Sequence, residues 1–228
     1  MEHSLQGRLG VIFDIDGVLL DSYKMHYECW RFIAEKHSIT LSEKEFDSLF
    51  GRRGYEIVRE IWGEDLPEEQ AGAIQRQKQA LYRENLQRNF PENDGAIQLI
   101  DRLAAGGFVL GIGSSAPPEN VEMSLNGLNR AKSFKAVVTG SDVARGKPNP
   151  QVFLLAAQQM GVEPLDCAVI EDAPAGIVAA LAGGMTAIAL AGTAPPESLT
   201  MAHLVVTSLR QLIPKQISEL ILNRHNRG

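Results

Sequence analysis

Six short apolar runs, each bounded by turn residues and separated by stretches of helical spacing, constrain this chain more than any other feature. They fall at residues 9–15, 108–112, 136–139, 167–170, 185–190 and 204–206. Continuous rather than alternating apolar character marks strands buried on both faces. Between them, sets such as Ile97, Ile100, Leu103 and Ala104, or Val152, Leu155, Ala156 and Met160, recur at three and four spacing and predict helices. Strand and helix alternating this often close through right-handed crossovers into a doubly wound parallel sheet, so the expected fold class is α/β with a Rossmann-like core. Asn149-Pro150 reads as the start of a helix, asparagine capping and proline in the first turn.

Residues 22–90 break the alternation. No β-branched run occurs there and the periodicity stays helical, which predicts an inserted all-helical cap over 22–90 and an α/β core made of 1–21 and 91–228. The last cap helix, about 67–89, shows only a narrow apolar stripe through Ile74, Leu81 and Leu86, as suits a small unit that moves against the core. A length of 228 residues accommodates one α/β domain with such an insertion, and 44% hydrophobic against 22% charged residues excludes wholesale disorder.

A net charge of -6 and an isoelectric point near 5.4 leave no basic footprint for nucleic acid. Cys29 and Cys167 lie far apart with no CxxC pair and read as reduced intracellular thiols. The first ten residues lack a basic stretch leading into an apolar segment, so the cytoplasm is the expected location. Residues 173–196 carry no charge, yet Pro174, Gly183 and Gly184 punctuate them and alanine dominates; a buried helix over 174–182 and a strand over 185–190 are expected there instead of a membrane span.

The first run ends Asp14-Ile15-Asp16-Gly17, with Asp21-Ser22 following. Period two sets both carboxylates on one side of the backbone, outside the carboxyl end of a strand, where ligand sites of open α/β sheets lie. Two like charges so placed need a metal or a proton. A calcium loop is ruled out, because Val18 and Leu19 stand where an oxygen ligand and a glycine are required. The second run ends Gly111-Ile112-Gly113-Ser114-Ser115, a hydroxyl-bearing turn that leads into a helix and can cradle phosphate oxygens. Its glycines hint at a dinucleotide site, but Ala116 replaces the third glycine. Lys147 stands in Gly146-Lys147-Pro148-Asn149-Pro150, a stiff loop suited to aiming a point charge at a phosphoryl group; the spacing back to Gly140 does not make a phosphate-loop motif. The fourth run ends Glu171-Asp172, adjacent acids at the rim of a buried sheet, and oxygen ligands without histidine or cysteine favour Mg²⁺.

In order and spacing, these segments resemble the haloacid dehalogenase-like superfamily of aspartyl-phosphate hydrolases over nearly the whole chain. The resemblance implies Asp14 as nucleophile, Asp16 as acid/base, Ser114 as a phosphoryl-oxygen donor with Ser115 beside it, and Lys147 offsetting charge. It also implies Mg²⁺ held by the Asp14 carboxylate, the Asp16 carbonyl and Asp172, with Glu171 as a direct or water-mediated ligand. An acidic residue at position 16 separates phosphoryl transfer, which needs a proton for the leaving alkoxide, from dehalogenation, which does not.

Asp21-Ser22-Tyr23-Lys24-Met25-His26 followed by Trp30 is similar to the branch holding β-phosphoglucomutase and sugar-phosphate phosphatases. In the mutase a histidine at the place of His26 lies at the cap hinge and helps switch the acid/base between roles. Where the mutase carries Ser-Arg after a glycine, for a second phosphate, this chain reads Gly51-Arg52-Arg53-Gly54. Arg52, Arg53, Lys78 and His26 are the cap candidates for substrate contact. The expected function is a Mg²⁺-dependent phosphatase acting on a small phosphorylated metabolite, with a phosphomutase as alternative and a binding-only sensor as the non-enzymatic one; nothing in the sequence sets an oligomeric state.

Overall fold

In the computed structural model, which describes residues 8–225, each of the six apolar runs becomes a strand. They are β1 (Gly10–Phe13), β2 (Val109–Gly113), β3 (Ala136–Val138), β4 (Cys167–Glu171), β5 (Thr186–Leu190) and β6 (Leu204–Val206). All pair in parallel in the order β3-β2-β1-β4-β5-β6. The chain builds outward from β1 in one direction, then returns to lay β4 on the other side of β1. That reversal places the crevice for a ligand at the carboxyl ends of β1 and β4. The reading of the amino-terminal segment turns on residues 1–7, which lie outside the described residues.

Period two sorts the strand residues between two cores. Val11, Phe13, Ala168, Ile170 and Ile188 face α5 (Ala96–Ala105), α6 (Pro118–Gly127) and α9 (Pro214–His225). Ile12, Cys167, Val169, Ala187 and Ala189 face α7 (Gln151–Met160) and α8 (Pro174–Ala182). Full burial of each large aliphatic side chain contributes roughly 1.5–3 kcal/mol. The glycines that hinted at a dinucleotide site have a packing role: a Cβ on Gly111 would sit 2.4 Å from Met160 Sδ, and one on Gly113 2.7 Å from Phe153 Cδ1, so their bareness lets α7 lie close on the sheet.

Two expected boundaries move. β1 ends at Phe13, two residues short of the apolar run, because the Ile15 carbonyl accepts from the amides of Val18, Leu19 and Leu20 and folds the chain into a tight loop. The α7 helix begins at Gln151 with Pro150 at its cap position; the Asn149 side chain still serves the turn, accepting from Gln151 N at 3.1 Å. No helix among the described residues is long and apolar enough to cross a membrane, and 174–182 forms the expected short helix.

Four helices lie between β1 and α5: α1 (Tyr23–Lys36), α2 (Glu43–Asp47), α3 (Gly54–Trp62) and α4 (Glu68–Arg88). They enclose their own apolar cluster, including Trp30, Ile33, Phe46, Phe50, Ile57 and Ile74. The buried stripe of α4 runs through Ala71, Ile74, Lys78, Gln79, Tyr82 and Leu86, so it is wider than the apolar residues alone suggest and it carries polar groups. Leu81, expected on that stripe, is only partly buried, against the core.

Candidate active site

Asp14 sits one residue beyond β1, its amide still donating to the Ile170 carbonyl of β4 at 3.0 Å, so the strand register fixes where its carboxylate stands. The Lys147 ammonium lies 3.0 Å from Asp14 Oδ1 and 2.7 Å from Glu171 Oε1, and all three residues are buried. Glu171 is held further by the amides of Asp172 and Ala173, each donating to Oε2 at 2.7 Å. Asp172 differs: both of its carboxylate oxygens are buried and neither is met by an ammonium or an amide, the Thr193 hydroxyl being the polar group beside them. One oxygen each from Asp14, Glu171 and Asp172 lie within 4.8 Å of one another. Three clustered carboxylates have one ammonium, paired with two of them, which is a set of hard donors that fits a divalent cation.

Burial pushes Asp14 up to about 7, with Lys147 opposing and Glu171 and Asp16 adding to the rise. Burial also drives Asp172 well above the ordinary carboxylate range, reinforced by Glu171 and Asp14. Burial works against the Lys147 ammonium, but its two carboxylate partners outweigh it and keep the group protonated. Gly17 makes the approach of the β1 loop possible: its φ is +82°, and a Cβ there would lie 1.8 Å from Asp172 Oδ2. Gly17→Ala is therefore expected to lower stability by about 2 kcal/mol or more and to displace Asp172, measurable by urea denaturation.

Asp16 is set apart from this cluster. Its Oδ1 accepts from Ser22 Oγ at 2.7 Å and Tyr82 OH at 3.0 Å and lies 3.0 Å from His26 Nε2, while Oδ2 accepts from none of them. Burial opposes ionisation of Asp16, yet His26, Ser22 and Tyr82 together hold it below the usual carboxylate range. His26 stacks on Tyr82, with ring centroids 4.0 Å apart, and its Nδ1 faces Lys78 Nζ at 2.5 Å. Burial, and then the Lys78 charge, lower the imidazole pKa, whereas burial brings Lys78 down to about 8. An ammonium donating to Nδ1 leaves Nε2–H to donate to Asp16, so the imidazole is neutral and the depression of Asp16 rests on three hydrogen bonds.

Lys78→Met would replace a buried ammonium by an apolar chain of similar length. It is expected to melt at or above the wild type near neutral pH. Because the folded-state pKa of Lys78 lies below the 10.5 of a free lysine, the wild type gains stability as pH rises from about 8 to 10.5, and the variant should not. Turnover should fall by about tenfold through loss of the donor that sets the His26 tautomer, read as kcat beside the melting curve.

The cavity between core and cap is lined by Asp14, Asp16, Ser114, Ser115 and Asn120 from the core, and by His26, Arg52, Lys78 and Gln79 with Trp30, Phe50 and Ile57 from the cap. Ser114 is buried and its Oγ accepts from Ala116 N at 3.1 Å. Arg52 reaches the lining, with Nη1 3.3 Å from Glu60. Arg53, expected as a substrate contact, is directed elsewhere: its Nε donates to Glu56 at 2.8 Å and its Nη1 to the carbonyls of Val143 and Ala144. Lys78 is engaged with His26 as well as lining the cavity.

Sequence reasoning missed Ser22 and Tyr82 as partners of Asp16, and Asn120, whose Nδ2 donates to Gln79 Oε1 at 2.8 Å. A signal for one of them existed: Tyr82 falls four residues after Lys78 on the buried stripe of α4, where polar residues need a reason.

Residues 9–184 match the haloacid dehalogenase-like hydrolases. The chain is 31% identical to β-phosphoglucomutase of Bacillus subtilis, over 92% of this chain and 93% of that protein. It is also 31% identical to hexitol phosphatase A of Escherichia coli, over 89% and 92%. The crystal structure of β-phosphoglucomutase from Clostridium difficile superposes with a TM-score of 0.88 at 27% identity, covering 96% of this chain and 99% of that one.

Proposed function

This chain belongs to the haloacid dehalogenase-like hydrolases, which include phosphatases and phosphomutases of sugar phosphates, and within that family we propose that it is a Mg²⁺-dependent phosphatase of a small phosphorylated metabolite. The observation that carries this reading is the Asp14–Lys147–Glu171 ion-pair triad beside the buried Asp172 carboxylate, which has no ion-pair partner among the described residues, with Asp16 facing the same cavity. The names of two relatives, a hexitol phosphatase and a phosphoglucomutase, make polyol and sugar phosphates the first esters to try.

The Asp14 carboxylate takes the phosphoryl group, forming an acyl phosphate as the bond to the leaving alcohol breaks, which divides one hard hydrolysis into two easier steps. Lys147 favours the ionised form of Asp14 against burial and offsets charge as anion meets anion. The Ser114 hydroxyl and the Ser115 amide orient the phosphoryl oxygens. Asp16 gives a proton from Oδ2 to the leaving alkoxide and then takes one from the water that attacks phosphorus, releasing phosphate and restoring Asp14; such proton transfer is typically worth ~10² to 10⁴ in rate. Mg²⁺, when bound by the carboxylates of Asp14 and Asp172 and the Asp16 carbonyl with Glu171 alongside, supplies neutralising charge for the phosphate oxygens. The resting site suits the hydrolytic half, since three donors on Oδ1 favour ionised Asp16.

The cap arginines favour hydrolysis over mutase chemistry, which needs a second phosphate held in the cap. Arg53 is turned to the core loop, and Arg52 is partly neutralised by Glu60. Incubation with a panel of phosphate monoesters, with and without Mg²⁺, should give Mg²⁺-dependent phosphate release without a bisphosphate primer. Release from none of them contradicts the reading, and transfer that requires a primer points to the mutase. In the absence of ester, Mg²⁺ should raise the melting temperature, by about 2.7 kcal/mol of added stability at a hundredfold excess over Kd, and Asp172→Asn should lose that gain.

A further inference from the structure

We propose that Arg53 is a positioning residue that pins the substrate-facing loop of the cap to the core loop carrying Lys147. This rests on reading the cavity as the phosphate-ester site. Of residues 51–54, Gly51, Arg52 and Gly54 line the cavity, and Arg53 alone points away from it. Its guanidinium reaches across to the core, 3.4 Å from the Val143 carbonyl and 3.3 Å from that of Ala144, with Glu56 orienting it at 2.8 Å from Nε.

The core side is shaped to receive it. A Cβ on Gly146 would lie 2.9 Å from Arg53 Nε and 3.1 Å from Glu56 Oε1, so the Arg53–Glu56 pair occupies the space a side chain would take, one residue before Lys147. The same cap loop touches the core at its other end, where a Cβ on Gly51, at φ +84°, would sit 3.1 Å from Ala173 Cβ, next to Asp172. The loop that faces the leaving group is thus fastened at both ends to the segments that carry Lys147 and Asp172.

The cavity beneath this arrangement is partly open to solvent and about 40 Å³ in volume, so a sugar-sized ester enters as cap and core separate and is covered by their return. Arg53 supplies part of the free energy of that return. Its aliphatic stem can be kept and its donors removed by Arg53→Met, and the receiving surface can be blocked from the core side by Gly146→Ala.

Small-angle X-ray scattering of the full chain without ester should show a larger radius of gyration for either variant than for the wild type. With a hydrolysed ester, Arg53→Met should raise KM by about three- to tenfold with kcat within about twofold, the size of one or two polar contacts across an interface, and Arg53→Lys should restore part of the loss. The double variant should show no further increase in KM, since both changes remove one contact. Superimposable scattering curves, or KM effects that multiply in the double variant, overturn the proposal. A wild type that turns over no ester would reject the phosphatase reading and leave the scattering comparison to decide the role of Arg53.

Discussion

Asp14→Asn is expected to abolish phosphate release from any ester the wild type hydrolyses, by about 10⁴-fold or more, while leaving the protein folded. The amide keeps the size of the side chain and cannot accept a phosphoryl group. The fold gains from the change when no divalent cation is present. In the wild type, Asp14 titrates at about 7 against 3.8 for a free carboxyl. The folded state therefore binds the proton more tightly than the unfolded chain, and stability present below pH 3.8 is lost as pH rises to about 7, by up to roughly 4 kcal/mol. Asparagine does not titrate, so the variant should lack this decline and melt above the wild type at about pH 8 in chelator. A variant equally inactive but unfolded by circular dichroism would show that position 14 is required for folding, against the role assigned here.

Lys147→Met is expected to cost both stability and activity. The ammonium is the one cation within ion-pair distance of Asp14 and Glu171 among the described residues, and it is buried with them. Removing one member of such a set leaves uncompensated buried charge, typically at a cost of about 3–5 kcal/mol. The remaining carboxylates can relieve it only by taking up protons. Asp14, already raised by burial, then holds its proton more tightly still, so the deficit should be small at about pH 5 and grow as pH rises to about 8. Loss of a positioned charge at the phosphoryl group should lower kcat by about 10² to 10³-fold. Urea denaturation at the two pH values, with ester hydrolysis alongside, reads both effects; a deficit independent of pH would contradict the charge argument.

The strand ends were legible because the residues that deliver Asp14, Ser114 and Asp172 also obey local rules: an apolar run, then a turn, at the carboxyl rim of a parallel sheet. Strand register then brings Asp14 to Glu171 without further information, through pairs such as Phe13 with Ile170. The unread part lies in side chains whose partners are remote. Tyr82 donates to an oxygen 66 positions back, and Arg53 reaches carbonyls 90 and 91 positions ahead. No periodicity encodes such a choice; it follows from how the inserted helices sit on the sheet. Gly111 and Gly113 show the converse: Ala116 in place of a third glycine already rules out a dinucleotide site, and the two glycines serve to let a helix pack on the sheet.

The central claim is that the Asp14 carboxylate becomes phosphorylated during turnover. Acid quenching during hydrolysis of an ester, reduction of any acyl phosphate with borohydride and peptide mapping should place homoserine at position 14. Homoserine at Asp16 or Asp172 instead, or an unmodified Asp14 in enzyme quenched while a phosphoenzyme has measurably accumulated, would contradict it.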